Sequence, residues 1–235
     1  MEEFYWIAGA IGLLACIDVA AASTLVKARI SRALMAEAKP YEALTTDYTK
    51  TLLVLGDSTG VGVGAERPEE TLAGLLSAYL EFTYVENHSV SGAEVADLST
   101  QIQKIRLTHY DFILIQIGGN DILAFHDAKT TGKQLAKILE TLPEAKQKVL
   151  ISEGNVGGAT LFPRILKPFH YFGSLALHKE FARVAPLRGV TYVNLYTPLF
   201  KDPFIRDSKK YLSADGLHPS SAGYALWFKK LTEII

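Results

Sequence analysis

Four short stretches of this chain carry residue types that can do chemistry together. Gly56-Asp57-Ser58-Thr59-Gly60 grows directly out of the apolar run Thr51–Gly56 (TLLVLG). A serine placed where a strand turns into a loop or helix exposes its hydroxyl near a helix N-terminus, a setting that suits a nucleophile. The same setting also suits a serine that merely caps a helix. Near the other end stands Asp215-Gly216-Leu217-His218-Pro219. A nucleophilic serine needs a base, and the base needs an orienting carboxylate. An Asp three residues before a His can reach the imidazole Nδ1–H and leave Nε2 free to face Ser58. Alone, such a pair fits a surface loop just as well; it gains meaning from the serine. The third stretch is Gly118-Gly119-Asn120-Asp121, where the Asn120 amide can donate to a developing oxyanion. The fourth is Ser91-Gly92-Ala93, where Gly92 offers a backbone N–H with no side chain in the way. As plain structure, Gly118–Asp121 is a turn and Gly92 a glycine at a helix entry.

These groups meet only if the intervening chain brings them together. Short apolar runs alternate with helical patterns throughout. Thr51–Gly56, Phe82–Glu86, Asp111–Ile117 (DFILIQI), Lys148–Ser152 and Val190–Leu195 read as strands. Glu69–Tyr79 reads as a helix, with Leu72, Leu75, Leu76 and Tyr79 at three- and four-residue spacing. Val95, Leu98, Ile102 and Ile105 mark another helix face. Lys133–Leu142 and Ala222–Leu231 complete the set. Such alternation predicts an α/β fold with a mainly parallel sheet covered on both faces. In those sheets function sits in loops at the carboxyl ends of the strands, and the serine, Gly92 and Asn120 stretches fall on such loops.

In order, GDS at the first strand, a glycine in the second block, GxND in the third and DxxHP near the C-terminus resemble the SGNH/GDSL hydrolase family. The resemblance runs from Leu52 to Leu231. Each motif is short, but four in this order and spacing are specific. The resemblance implies a three-layer α/β/α flavodoxin-like domain. It also implies acyl-ester hydrolysis through a serine acyl-enzyme, with no cofactor and no metal. Ser58 is then the nucleophile, His218 the general base and acid, and Asp215 the group that orients His218. The oxyanion hole is made by the N–H groups of Ser58 and Gly92 and the Asn120 side chain. Asp57 and Asp121 match positions that support loop geometry and receive no chemistry. Ser58 also satisfies G-x-S-x-G, the nucleophile elbow of α/β-hydrolases, but those enzymes place the serine after several strands.

Composition narrows the alternatives. With 49% hydrophobic and 21% charged residues among 235, the chain is too apolar to be disordered. Lys and Arg number 24 against 25 Asp and Glu, which leaves no positive excess for a nucleic-acid backbone. A single cysteine, Cys16, excludes an intrachain disulfide framework. Gly60, Gly62 and Gly64 fit no phosphate-binding glycine pattern. The remaining histidines show no metal-ligand spacing. His88 and His126 lie close in sequence to the expected site loops.

Ahead of residue 51 the character changes. Phe4–Val26 is a 23-residue stretch with one charge, Asp18. At about 1.5 Å per residue it spans a hydrocarbon core of roughly 30 Å. Aromatic residues at one end and Lys27, Arg29 and Arg32 after the other suit an interfacial anchor. Asp18 opposes insertion by roughly 3 kcal/mol, against nine Leu, Ile, Val and Phe side chains at about −0.3 to −0.6 kcal/mol each. Three readings compete: a membrane anchor over residues 1–32, a helix packed on protein, and a cleaved signal. The expected organisation is that segment, a linker over 33–50 broken at Pro40, and a catalytic domain over 51–235. The basic residues after the segment favour a cytoplasmic domain, although the side of the membrane stays open.

Substrate is read from one further segment. Gly154–Phe172 reads as a long glycine-rich and aromatic loop, whose Phe162, Phe169, Tyr171 and Phe172 line an acyl pocket, face a membrane or anchor the loop. The expectation is a membrane-associated serine ester hydrolase of carboxylesterase, lysophospholipase or deacetylase type. Its substrate is a small or lipid-like ester, or an acetylated glycan. An acyltransferase and a non-catalytic binding protein are the alternatives.

Overall fold

The computed structural model describes residues 22–235. Most of the expected anchor, Phe4–Val26, with Cys16 and Asp18, lies outside the described residues. Among the described residues no helix is long and apolar enough to cross a membrane. Residues 22–37 form helix α1, which ends ahead of Pro40. Then come β1 (Thr51–Gly56), α2 (Ser58–Val61), α3 (Leu72–Leu80), β2 (Tyr84–Asn87), α4 (Leu98–Ile102) and β3 (His109–Gln116). They are followed by α5 (Gly119–Leu123), α6 (Ala128–Leu139), β4 (Glu144–Ile151), α7 (Lys167–Val184) and β5 (Thr191–Val193). The chain closes with α8 (Pro203–Arg206), α9 (Ser208–Tyr211) and α10 (Ser221–Thr232).

The five strands pair in the order β2-β1-β3-β4-β5, and every pairing is parallel. The expected parallel α/β sheet is therefore present. Its strands alternate between two cores. Leu53, Leu55, Ile113 and Ile115 pack on one face with Leu135 of α6 and Leu177 and Phe181 of α7. Leu52, Val54, Phe112 and Leu114 pack on the other with Leu72 and Leu76 of α3 and Tyr224 and Trp227 of α10. Burying each such side chain stabilises the fold by roughly 1.5–3 kcal/mol, so a polar residue on either face of β1 or β3 would break it. The segment read as a linker also touches the sheet: Ala43 makes an isolated antiparallel bridge to Val85.

The strand order opens a crevice. From β1 the chain goes to β2 on one side and from β3 to β4 on the other, so the connections leaving the adjacent strands β1 and β3 diverge at their carboxyl ends. Gly56 closes β1 at that point with φ +147°, and a Cβ there would collide with the Gln116 carbonyl. The buried Gln101 amide satisfies the Gly56 peptide groups where the ladders diverge. Gly56 N–H donates to its Oε1 at 2.8 Å, and its Nε2 donates to the Gly56 carbonyl at 2.7 Å.

The segment from Gly154 to Phe172 corrects the reading as one long loop. It holds 3₁₀ turns at Val156–Gly158 and Arg164–Leu166, and α7 starts within it at Lys167. Pro168 falls in the first turn of α7, where a missing N–H costs nothing. The buried face of α7 runs His170, Ser174, Leu177, Phe181, Val184, and its two polar members hide the helical period from an apolar count.

Candidate active site

Ser58 is the first residue of α2, immediately past the end of β1. Asp57 caps that helix: its Oδ1 accepts from Thr59 N–H at 2.8 Å and from the Thr59 hydroxyl at 2.9 Å. The nucleophile candidate is thus held by the strand behind it and the cap before it. His218 comes from the loop between α9 and α10, 160 residues away in sequence. Its Nε2 lies 2.9 Å from Ser58 Oγ, and its Nδ1 lies 2.6 Å from Asp215 Oδ2. With Nδ1–H donating to the carboxylate, Nε2 is left to accept from the serine hydroxyl. Ser58, Asp215 and His218 are 7%, 0% and 4% exposed, so water competes little for these bonds.

Asp215 is fixed from its other oxygen. Oδ1 accepts from Ser213 Oγ at 2.8 Å, Leu217 N–H at 2.8 Å and His218 N–H at 3.0 Å. Burial pushes this carboxyl up, but the hydrogen bond and charge of His218, with the Leu217 and Ser213 donors, win and hold it well below the usual carboxylate range. Asp215 is a permanent anion that orients the ring and stabilises an imidazolium. Such an arrangement can accept a proton from Ser58 and return it to a leaving group.

Ser58, Gly92, Asn120 and His218 line one cavity of about 270 Å³. Gly92 has φ +85° with open space where a Cβ would stand, so its backbone can face the cavity uncovered. Asn120, in α5 beyond β3, uses one Nδ2 hydrogen on the Ala93 carbonyl at 2.8 Å, which leaves its second hydrogen. The rest of the wall is mainly apolar and includes Leu195, Phe204, Leu212, Leu217 and Trp227. His88 and His126 are not in it. His88 sits 2.6 Å from Glu86, and His126 sits 3.6 Å from Asp121. Among the described residues, no group of three His, Cys, Asp or Glu side chains is placed to hold a metal ion. The aromatic residues of the Gly154–Phe172 segment do not line the cavity either. Phe162 packs edge-on against His170 at 4.9 Å. Phe169 and Phe172 are largely exposed.

One cavity residue carries no motif. Glu153 follows β4 and lies under α2, with Oε1 3.5 Å from Thr59 Oγ1. Its Oε2 is buried without a donor. Burial first, then the charge of Asp57, push Glu153 well above the usual carboxylate range. Glu153 is thereby biased toward its neutral form beside Asp57, the cap of the Ser58 helix. Asp121, next to Asn120, accepts from Val95 N–H at 3.1 Å. Burial raises its carboxyl to about 6, against the pull of that N–H.

Comparison with known proteins bears on this geometry. The family model described as GDSL-like lipase/acylhydrolase matches residues 54–226. Among curated proteins no sequence matches the chain. Solved structures share the fold. A member of the lipolytic G-D-S-L family from Veillonella parvula DSM 2008 has a TM-score of 0.62 at 18% identity, over 80% of this chain and 98% of its own. An extracellular lipase from Streptomyces rimosus has a TM-score of 0.59 at 17% identity, over 80% of this chain and 100% of its own. A variant of an acetyl-xylooligosaccharide esterase from Geobacillus Stearmophilus has a TM-score of 0.56 at 22% identity, over 78% of this chain and 93% of its own. At these identities the likeness speaks for the fold.

Proposed function

The chain belongs to the GDSL-like lipase/acylhydrolase family, and we propose that it is a serine carboxylic-ester hydrolase acting on lipid-like esters beside a membrane. The observation that carries this reading is the relay from Asp215 through His218 to Ser58, at 2.6 and 2.9 Å. Ser58 Oγ attacks the ester carbonyl carbon as its proton passes to His218 Nε2. Asp215 stabilises the imidazolium. The carbonyl oxygen becomes an anion and takes hydrogen bonds from Ser58 N–H, Gly92 N–H and Asn120 Nδ2. The tetrahedral species collapses, the alcohol leaves with the proton of His218, and the acyl group stays on Ser58. Water then gives a proton to His218 and attacks the acyl-enzyme. The acid leaves and the proton returns to Ser58.

Cavity chemistry supports the lipid-like substrate. At roughly 30 Å³ for a water-sized group, about 270 Å³ takes several groups beyond an acetyl, and the wall is mainly apolar. Surface chemistry supports the membrane. Ile165, Phe169 and Phe172 are 76%, 61% and 65% exposed at four- and three-residue spacing where the chain enters α7, with the basic residues Arg164 and Lys167 close in sequence. Leu25 and Val26, the last residues of the apolar N-terminal stretch, are exposed as well.

A p-nitrophenyl ester series from acetyl to palmitoyl tests the proposal on wild type and Ser58→Ala. Wild type is expected to hydrolyse the medium and long chains best and to react with a fluorophosphonate probe. Ser58→Ala should do neither while melting at the wild-type temperature. Substantial turnover by Ser58→Ala would take that serine out of the mechanism. Preference for acetyl would point to a deacetylase, and a new ester formed from an added alcohol would point to acyl transfer.

A further inference from the structure

Helix α1 lies ahead of the family match, which begins at residue 54, yet it contributes to the substrate cavity. Its inward stripe is Lys27, Ser31 and Met35, four residues apart and therefore on one helix face. Ser31 is 6% exposed, and Ser31 and Met35 both line the cavity that holds Ser58 and His218. Arg29 and Arg32 point the other way and are exposed. The helix is fastened through Lys27. Lys27 Nζ donates to the Thr160 carbonyl at 2.7 Å and to Thr160 Oγ1 at 2.9 Å. Thr160 in turn donates its N–H to the Gly216 carbonyl at 2.7 Å, and Leu161 donates to the same carbonyl at 3.2 Å. Gly216 sits directly after Asp215, in the loop that carries His218. The latch therefore joins α1 to the loop that holds the imidazole.

We infer that α1 is a wall of the acyl site, and that Met35 sets how long an acyl chain the site accepts. The inference rests on the ester-hydrolase reading above and deepens it. Thioether side chains fill irregular apolar space and adapt to flexible ligands, which suits Met35 to an acyl chain. A larger side chain at 35 shortens the space available to a chain attached at Ser58, and a smaller one lengthens it. Such effects are graded, because one methylene in an apolar pocket changes kcat/KM by roughly 10- to 200-fold.

The experiment uses the full chain with p-nitrophenyl acetate, octanoate and dodecanoate. For Met35→Trp, the octanoate-to-acetate ratio of kcat/KM is expected to fall about 10-fold or more. For Met35→Ala, the dodecanoate-to-octanoate ratio is expected to rise. The rate of fluorophosphonate labelling confirms in each case that Ser58 is still activated, and Met35→Ala carries the test if the larger residue prevents folding. An active wild type whose chain-length ratios are matched by both labelled variants overturns this inference alone. A wild type that hydrolyses no ester overturns the hydrolase reading and this inference with it.

Discussion

Replacing Asp215 by Asn keeps the shape of the side chain and changes which hydrogen bonds it can make. Oδ1 faces the Leu217 and His218 N–H groups and the Ser213 hydroxyl. Two of those three are backbone donors that cannot turn away, so the amide oxygen must take that place. The NH₂ group then occupies the position of Oδ2, 2.6 Å from His218 Nδ1. Nδ1 has to become an acceptor, and the ring proton moves to Nε2, facing Ser58 Oγ at 2.9 Å. The lone pair that should take the serine proton is gone, and so is the anion that stabilises the imidazolium. The same tautomer switch in a serine protease triad lowers kcat by about 10⁴. That is about 5 kcal/mol of barrier. Asp215→Ala is a poorer probe, because it orphans buried backbone donors at roughly 1–3 kcal/mol each and mixes folding with catalysis. The assay is the initial rate on the best p-nitrophenyl ester, with thermal melting as a control. Asp215→Asn should lose about four decades in kcat, with KM little changed. A folded Asp215→Asn within ten-fold of wild type would refute the tautomer argument.

Two further outcomes follow from the buried acids. Glu153→Gln keeps the size of the side chain and removes the titrating proton, so its kcat should stay within a few-fold of wild type. Wild-type activity should fall as rising pH ionises Glu153 beside Asp57, and Glu153→Gln should be spared that part of the fall; identical pH profiles would show that the acid pair does not hold the nucleophile. Asp121 has a folded-state carboxyl raised to about 6, above the roughly 3.9 of an unfolded chain. Its native protonation favours the fold in full below about 4, and that contribution is lost as pH rises through about 6. Asp121→Asn should therefore melt higher than wild type at pH 8, by about 1–3 kcal/mol of stability, and the gap should close by pH 4. A gap that does not change with pH would contradict the raised carboxyl.

Strands were readable where both faces are apolar. Thr51–Gly56 has the same limits in the sequence and in the structure, because β1 is buried at every position. β4 starts at Glu144, four residues before the expected Lys148, because its first half alternates exposed Glu144 and Lys146 with partly buried Ala145 and Gln147, of which only Ala145 is apolar. α6 begins five residues before the expected Lys133, at a cap formed by Asp127 accepting from Thr130 N–H. That cap is a sequence signal of the standard kind, which apolar spacing alone does not register. α8 and α9 are single turns with no buried residue, so no hydrophobic period announces them.

Local motifs also set which parts of the site could be found. Asp215 and His218 are three residues apart, so their mutual bond is nearly a property of the loop. Ser58 meets them because β1 is an interior strand of the sheet and the α9–α10 loop brings His218 to its carboxyl end. Glu153 belongs to neither class. It reaches Asp57 only because β4 is parallel to β3 and β3 to β1, which places the ends of all three strands on one side of the sheet. An isolated glutamate after a strand has no pattern of its own. Its role depends on a carboxylate 96 positions earlier in the chain. The same holds for Met35: helix α1 reads from sequence as the tail of an apolar segment, and only its seating on Thr160 turns one face toward Ser58. Residues that act through their own neighbours are visible in a sequence. Residues that act across the sheet require the sheet.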